Sequence, residues 1–125
     1  MKKIVVVLVL AVMAVALVAC GGGGNSNETT LSLAADPSGA PKYDKSSLTA
    51  DAGKITIDFS NPTKTPQDVA IKDQAGKVYG ITNDGKYVTN GNATVTVDLD
   101  AGSYIYYSTQ PGYRDRGMQG ILTVK

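Results

Sequence analysis

From Leu31 to its last residue the chain is a series of short apolar stretches alternating with polar residues, broken by glycine, proline, Asn and Asp. Lys54-Ile55-Thr56-Ile57-Asp58-Phe59 puts Ile55, Ile57 and Phe59 on one face, and Thr94 to Leu99 does the same with Val95, Val97 and Leu99. Successive side chains of a strand point to opposite faces, so this two-residue period predicts strands buried on one side. Further strands are expected at Leu31 to Ala35, Ser47 to Ala50, Asp68 to Lys72, Gly102 to Ser108 and Ile121 to Val124. Asp36 to Pro41, Asp51-Ala52-Gly53 and Asp73-Gln74-Ala75-Gly76 carry the residues that turns favour. Gly80 to Asn92, with Asn83-Asp84-Gly85 and Asn90-Gly91-Asn92, reads as a loop, and no amphipathic helix is expected after the linker. Seven or eight strands at this spacing predict an all-β Greek-key sandwich. Asp100-Ala101-Gly102-Ser103-Tyr104 has the form of a tyrosine corner, in which Tyr104 bonds back across the connection.

The first twenty residues follow another pattern. Met1-Lys2-Lys3 precedes an unbroken apolar run from Ile4 to Ala19, which reads as a secretion signal and is short for a spanning helix. Its end, Leu17-Val18-Ala19-Cys20-Gly21, resembles the bacterial lipobox. That resemblance implies that Cys20 becomes a lipidated N-terminus on the extracytoplasmic face of a bacterial cell envelope, with the membrane as a partner. Each buried methylene of a lipid contributes about 0.8 kcal/mol, so two or more chains anchor stably. The expected organisation is a signal peptide at 1–19, the lipidated Cys20 with a flexible Gly-rich linker at 20–30, and one domain at 31–125.

Composition narrows the chemistry. Cys20 is the only cysteine and there is no histidine, so the domain has no disulfide, no thiolate ligand and no imidazole base. It is not expected to be an enzyme. The net charge of +1 falls to −1 without Lys2 and Lys3, and the charges are scattered, so no nucleic-acid partner is expected. Asn27-Glu28-Thr29 and Asn92-Ala93-Thr94 are formal glycosylation sequons, of little use in a bacterial lipoprotein. Asn83-Asp84-Gly85 lacks the ligand spacing of a calcium loop.

Tyr104 to Val124, reading YIYYSTQPGYRDRGMQGILTV, resembles the last two strands and ligand loop of the cupredoxins, the blue-copper electron carriers. In that family the strand ends in a cysteine, Pro-Gly-His follows, and Gly-Met-x-Gly leads into the final strand. Here Ser108 takes the cysteine position, Tyr113 follows Pro111-Gly112, and Gly117-Met118-Gln119-Gly120 is intact. Upstream, Thr56 to Pro62 followed by Pro66-Gln67-Asp68-Val69-Ala70-Ile71 resembles the family's strand, Asn-Pro loop and His-Asn-Val segment, with Gln67 at the histidine and Asp68 at the asparagine. The resemblance implies a cupredoxin-like sandwich with vestigial metal-site positions Gln67, Ser108, Tyr113 and Met118, of which only Met118 keeps the family's residue.

A blue-copper site uses two imidazoles, a thiolate and a weak axial thioether. Serine stays protonated near neutral pH, glutamine offers a neutral amide, and a phenol ionises only near pH 10, about its reference pKa. No cofactor is therefore expected. Strand parity turns Gln67 inward with Val69 and Ile71, and Ser108 inward with Tyr104 and Tyr106. Gln67, Ser108 and Tyr113 are expected to satisfy one another in a neutral network that replaces the metal crosslink. Asp68, Arg114, Asp115 and Arg116 are candidates for a docking surface or a solvated loop, and Tyr79, Tyr87, Tyr106, Tyr107 and Tyr113 for a binding face or packing. The function expected is that of a lipid-anchored binding or accessory module beside an envelope protein partner. The alternative is a metal-handling or electron-transfer cupredoxin that holds copper loosely through Met118 with Tyr113, Gln67 and Asp68.

Overall fold

In the computed structural model, which describes residues 28–125, the two-residue period becomes burial. The segment expected to be a signal peptide, Cys20 and Gly21 to Asn27 lie outside the described residues. The strands are β1 (Glu28–Ala34), β2 (Ser47–Ala50), β3 (Gly53–Asn61), β4 (Ala70–Asp73), β5 (Val78–Ile81), β6 (Gly91–Leu99), β7 (Gly102–Tyr107) and β8 (Gln119–Val124). They form a three-stranded sheet ordered β1-β3-β6 and a five-stranded sheet ordered β2-β8-β7-β4-β5. β1 runs parallel to β3 and β2 parallel to β8, and the remaining pairs are antiparallel. Ile55, Ile57 and Phe59 from one sheet face Ile71, Tyr106 and Leu122 from the other in a single core. Tyr43, on the connection between β1 and β2, packs edge-on against Phe59 at 5.9 Å and tilted against Tyr106 at 5.7 Å.

The boundaries depart most from the sequence-based expectation at three places. The first strand starts at Glu28, inside the span expected to be linker, because residues 28–30 pair with Lys54 to Thr56 and Glu28 lies 3.4 Å from the Lys54 ammonium. The segment expected as a loop from Gly80 holds the end of β5, a tight turn at Thr82–Gly85 with Asn83 and Asp84 in the left-handed region, and the start of β6. Gly80 disguised that strand. A Cβ there would lie 2.8 and 2.9 Å from the Val97 and Val95 methyls, so β5 can close onto β6 only without a side chain. The fourth strand begins at Ala70 rather than Asp68, because Val69 exchanges bonds with Thr82: its N–H donates to Thr82 Oγ1 at 3.0 Å, and its carbonyl accepts from Thr82 N–H at 2.9 Å.

The tyrosine corner forms as expected, with Tyr104 Oη donating to the Asp100 carbonyl at 2.8 Å. Strand registers define two poles. Glu28, Gly53, Leu99, Gly102 and Val124 share one end, while Ala34, Asn61, Gly91, Tyr107 and Gln119 share the other.

Two predictions follow from the core tyrosines. Tyr106 lies flat over Gly120, where a Cβ would come within 2.2 Å of its ring and 2.7 Å of the Ser46 carbonyl. Gly120→Ala should lower the unfolding free energy by about 3 kcal/mol, the upper part of the overpacking range, as read from urea midpoints. Burial, aided by the charge on Asp44, pushes the Tyr106 phenol up to about 12, and burial drives Tyr43 well above its usual value. The unfolded chain releases these protons near pH 10, about the reference value, while the folded chain keeps them. Stability should therefore be full below about pH 10 and fall as the pH rises towards about 12, and Tyr106→Phe should make that fall shallower.

Candidate functional site

All five buried polar residues of the described chain, Asn61, Gln67, Asp68, Thr82 and Ser108, lie at the pole where β3, β6 and β7 meet the long loops. Burying a polar group without a partner costs about 1–3 kcal/mol, so their pairing decides whether this end can close. Among the described residues no fully buried side-chain nitrogen or oxygen lacks a partner.

Asn61, at the end of β3, holds the Asn-Pro loop. Its Nδ2 donates to the Thr65 and Val88 carbonyls at 2.7 and 2.6 Å, and its Oδ1 accepts from the Thr63 amide and hydroxyl at 3.0 and 2.7 Å. Gln67 and Val88 then exchange two backbone bonds, which turns the Gln67 side chain inward. On the facing strand, Ser108 continues the inward parity of Tyr104 and Tyr106. Its hydroxyl donates to Gln67 Oε1 at 3.0 Å and accepts from the Gln110 amide at 3.1 Å.

The loop from Thr109 to Met118 is tied at both ends. Ser108 N–H donates to the Met118 carbonyl at 3.1 Å, and Met118 N–H to the Tyr113 carbonyl at 3.0 Å. Asp68 accepts from the Thr109 amide at 2.8 Å and from the Thr109 hydroxyl. Gln110 Nε2 donates to the Pro66 carbonyl at 2.7 Å. These bonds gather Gln67, Ser108 and Met118 as buried neighbours, with Tyr113 half-buried beside them against the core.

Two expectations are corrected. Tyr113 does not join the neutral network, since its hydroxyl makes no hydrogen bond among the described residues and its ring instead carries the Arg116 guanidinium at 5.0 Å. The loop turns between Gln110 and Gly117, and the Tyr113 ring rests half-buried against the core with Arg116 over it. Asp68 is no part of a docking surface. It is fully buried, and it fastens the ligand loop through Thr109. Strand parity gave no signal for this role, since it sets Asp68 on the face opposite to Gln67 and Val69.

Chemically the pole offers an amide, a hydroxyl and a thioether inside, with a phenol at the edge. No group of three or more Cys, Asp or Glu side chains that could hold a metal ion occurs among the described residues. A cavity of about 700 Å³ lies elsewhere, between the edges of β5 and β6, lined by Gly80, Ile81, Asn83, Asp84 and Asn92 to Thr96.

No protein-family model matches the sequence, and neither does any curated protein. Solved structures do match. The dithionite-reduced auracyanin of the photosynthetic bacterium Roseiflexus castenholzii is 24% identical, with a TM-score of 0.66 over 77% of this chain and 96% of that one. Auracyanin A of Chloroflexus aurantiacus, described as a "blue" copper protein, is 22% identical, with a TM-score of 0.65 over 78% and 99%. Reduced rusticyanin is 21% identical, with a TM-score of 0.63 over 80% and 81%. At such identities the likeness is one of architecture: two mixed sheets of eight strands, closed at one pole by the loop after β7. The described part of this chain has the cupredoxin fold.

Proposed function

We propose that this chain is a lipid-anchored, extracytoplasmic protein whose cupredoxin sandwich has no competent blue-copper site and acts as a binding or accessory module of an envelope assembly. The observation that carries the reading is the 3.0 Å bond from Ser108 to Gln67. The positions that resemble the family's thiolate and first imidazole are joined by a neutral hydrogen bond between side chains 1% and 2% exposed.

The residues do not fit copper. Ser108 presents a protonated hydroxyl already used as a donor, Gln67 presents its amide oxygen to that hydroxyl, and Tyr113 is stacked under Arg116. Met118 alone supplies a soft donor, and a blue-copper centre takes its character from a thiolate and imidazoles. Catalysis has little support at the pole: Ser108 has no imidazole beside it and donates its hydroxyl to the Gln67 amide oxygen, and the Asp68 carboxylate is taken up by Thr109, so the role is binding rather than catalysis.

The anchor rests on the signal pattern and the lipobox around Cys20. β1 begins eight residues after Cys20, at the pole opposite Gln67 and Ser108. A strand of this length spans about 20 Å, so the Gln67 pole lies about that far from the point where the linker joins the domain.

Three measurements test the reading. Gln67→Leu should cost about 1–3 kcal/mol in urea unfolding, because it strands the Ser108 hydroxyl. An unchanged midpoint would show that the pair does not hold the pole. Copper added to the purified chain should give no charge-transfer band and no rise in melting temperature. A copper-dependent rise abolished by Met118→Leu would replace this reading by metal handling. The variant Gln67→His, Ser108→Cys, Tyr113→His should acquire a coloured copper centre, and a well-folded triple variant that stays colourless would show a ligand position to be misassigned.

A further inference from the structure

The outer faces of the two sheets differ in kind. On the three-stranded sheet the outward positions are Ser, Thr, Asx and charged residues, with Thr56 and Thr96 bonded at 2.9 Å and Lys54 beside Glu28. On the five-stranded sheet the registers Val78–Lys72, Lys72–Ile105 and Ile105–Ile121 make a cross-strand row across four strands. Val78 and Ile121 are 52% and 42% exposed, among the few large apolar side chains of the described chain left so open. The adjacent row holds Tyr107 and Gln119.

Two cations are fixed on this face. Lys72 Nζ lies 5.1 Å and the Arg114 guanidinium 5.0 Å from the Tyr107 ring centroid, and Arg114 Nε donates to Gln119 Oε1 at 3.2 Å. Among the described residues neither cation is paired with a carboxylate, and no outward strand position on this face is acidic. Stacking on the ring limits the freedom of both side chains and holds them at the surface.

We propose that the outer face of the five-stranded sheet docks a protein partner that presents acidic side chains around a small apolar patch. Val78, Ile105 and Ile121 meet the patch, and Lys72 and Arg114 meet the acids. The proposal deepens the binding-module reading by giving it a surface and a partner chemistry. Charge selects the occupant. A second copy docked face to face would set Lys72 and Arg114 against their own kind, and like charges across an interface are costly. A bilayer is a poorer fit, since the aliphatic side chains stand on the strands of a sheet among polar neighbours rather than on a projecting loop.

The test uses the full-length chain in an uncharged detergent, with poly-L-glutamate as the acidic probe and Kd read by calorimetry. Binding should weaken between about 20 mM and about 150 mM salt, as for charges within a Debye length. Lys72→Gln with Arg114→Gln should weaken it by about tenfold or more, and Ile121→Asp should weaken it as well. Lys86→Gln, on the connection before β6, should leave it unchanged. No binding, or an equal loss from Lys86→Gln, would overturn the proposal. So would a dimer in sedimentation that the double variant disperses. Amide protection of β7 and β8 on moving the chain from phosphatidylcholine nanodiscs to ones containing phosphatidylglycerol would assign the face to the membrane and overturn it too. The copper titration is independent of these outcomes, so a failed probe with no copper binding rejects the surface while leaving the module reading in place.

Discussion

Every part of the loop-bearing pole depends on the need to pair polar groups that water cannot reach. Asn61, Gln67, Asp68, Thr82 and Ser108 are buried together, and each bonds a segment distant in sequence or a neighbouring turn. Asn61 fixes the loop that delivers Gln67, Gln67 receives Ser108, and Asp68 fastens the residue after Ser108. A metal ion could in principle crosslink such an end by coordination. Here side-chain hydrogen bonds join the same segments, the neutral ones worth about 1 kcal/mol net each, and removing one partner costs more because it strands the other away from water.

The opposite pole is closed differently. The tyrosine corner and the turn at Asp73, whose carboxylate accepts from the Ala75 and Lys77 amides, are local devices formed within a few residues. Bonds between distant segments, such as Ala52 N–H to the Lys125 carbonyl at 2.9 Å, occur there too, but the buried polar residues are confined to the other end and give the domain a direction. Glu28 enters at the end without them, and the buried polar group lies a strand length away.

Between the poles, the two sheets share one core but expose unlike surfaces. Close packing sets the inner faces, where Gly80 and Gly120 are the positions at which a valine or tyrosine side chain needs the space. The outer faces are free of that demand. One is covered with hydroxyls and amides, while the other keeps aliphatic side chains beside cations stacked on Tyr107. That difference does not come from folding stability, since both faces cover the same core.

The strands built on clean alternation, β3, β6, β7 and β8, were legible in the sequence because burial on one face dictates a two-residue period. The residue types at Gln67, Ser108, Tyr113 and Met118 were legible too, and with them the chemistry that the pole cannot perform. What the chain alone could not disclose depends on contacts between segments far apart. β5 was hidden by a glycine whose purpose is set by Val95 and Val97, and the burial of Asp68 shows only against Thr109. Tyr113 left the polar network because a turn seen only in three dimensions carries its ring under Arg116. Periodicity records which side of a strand is dry, but the partner that satisfies a buried polar atom is chosen by where the other strands arrive.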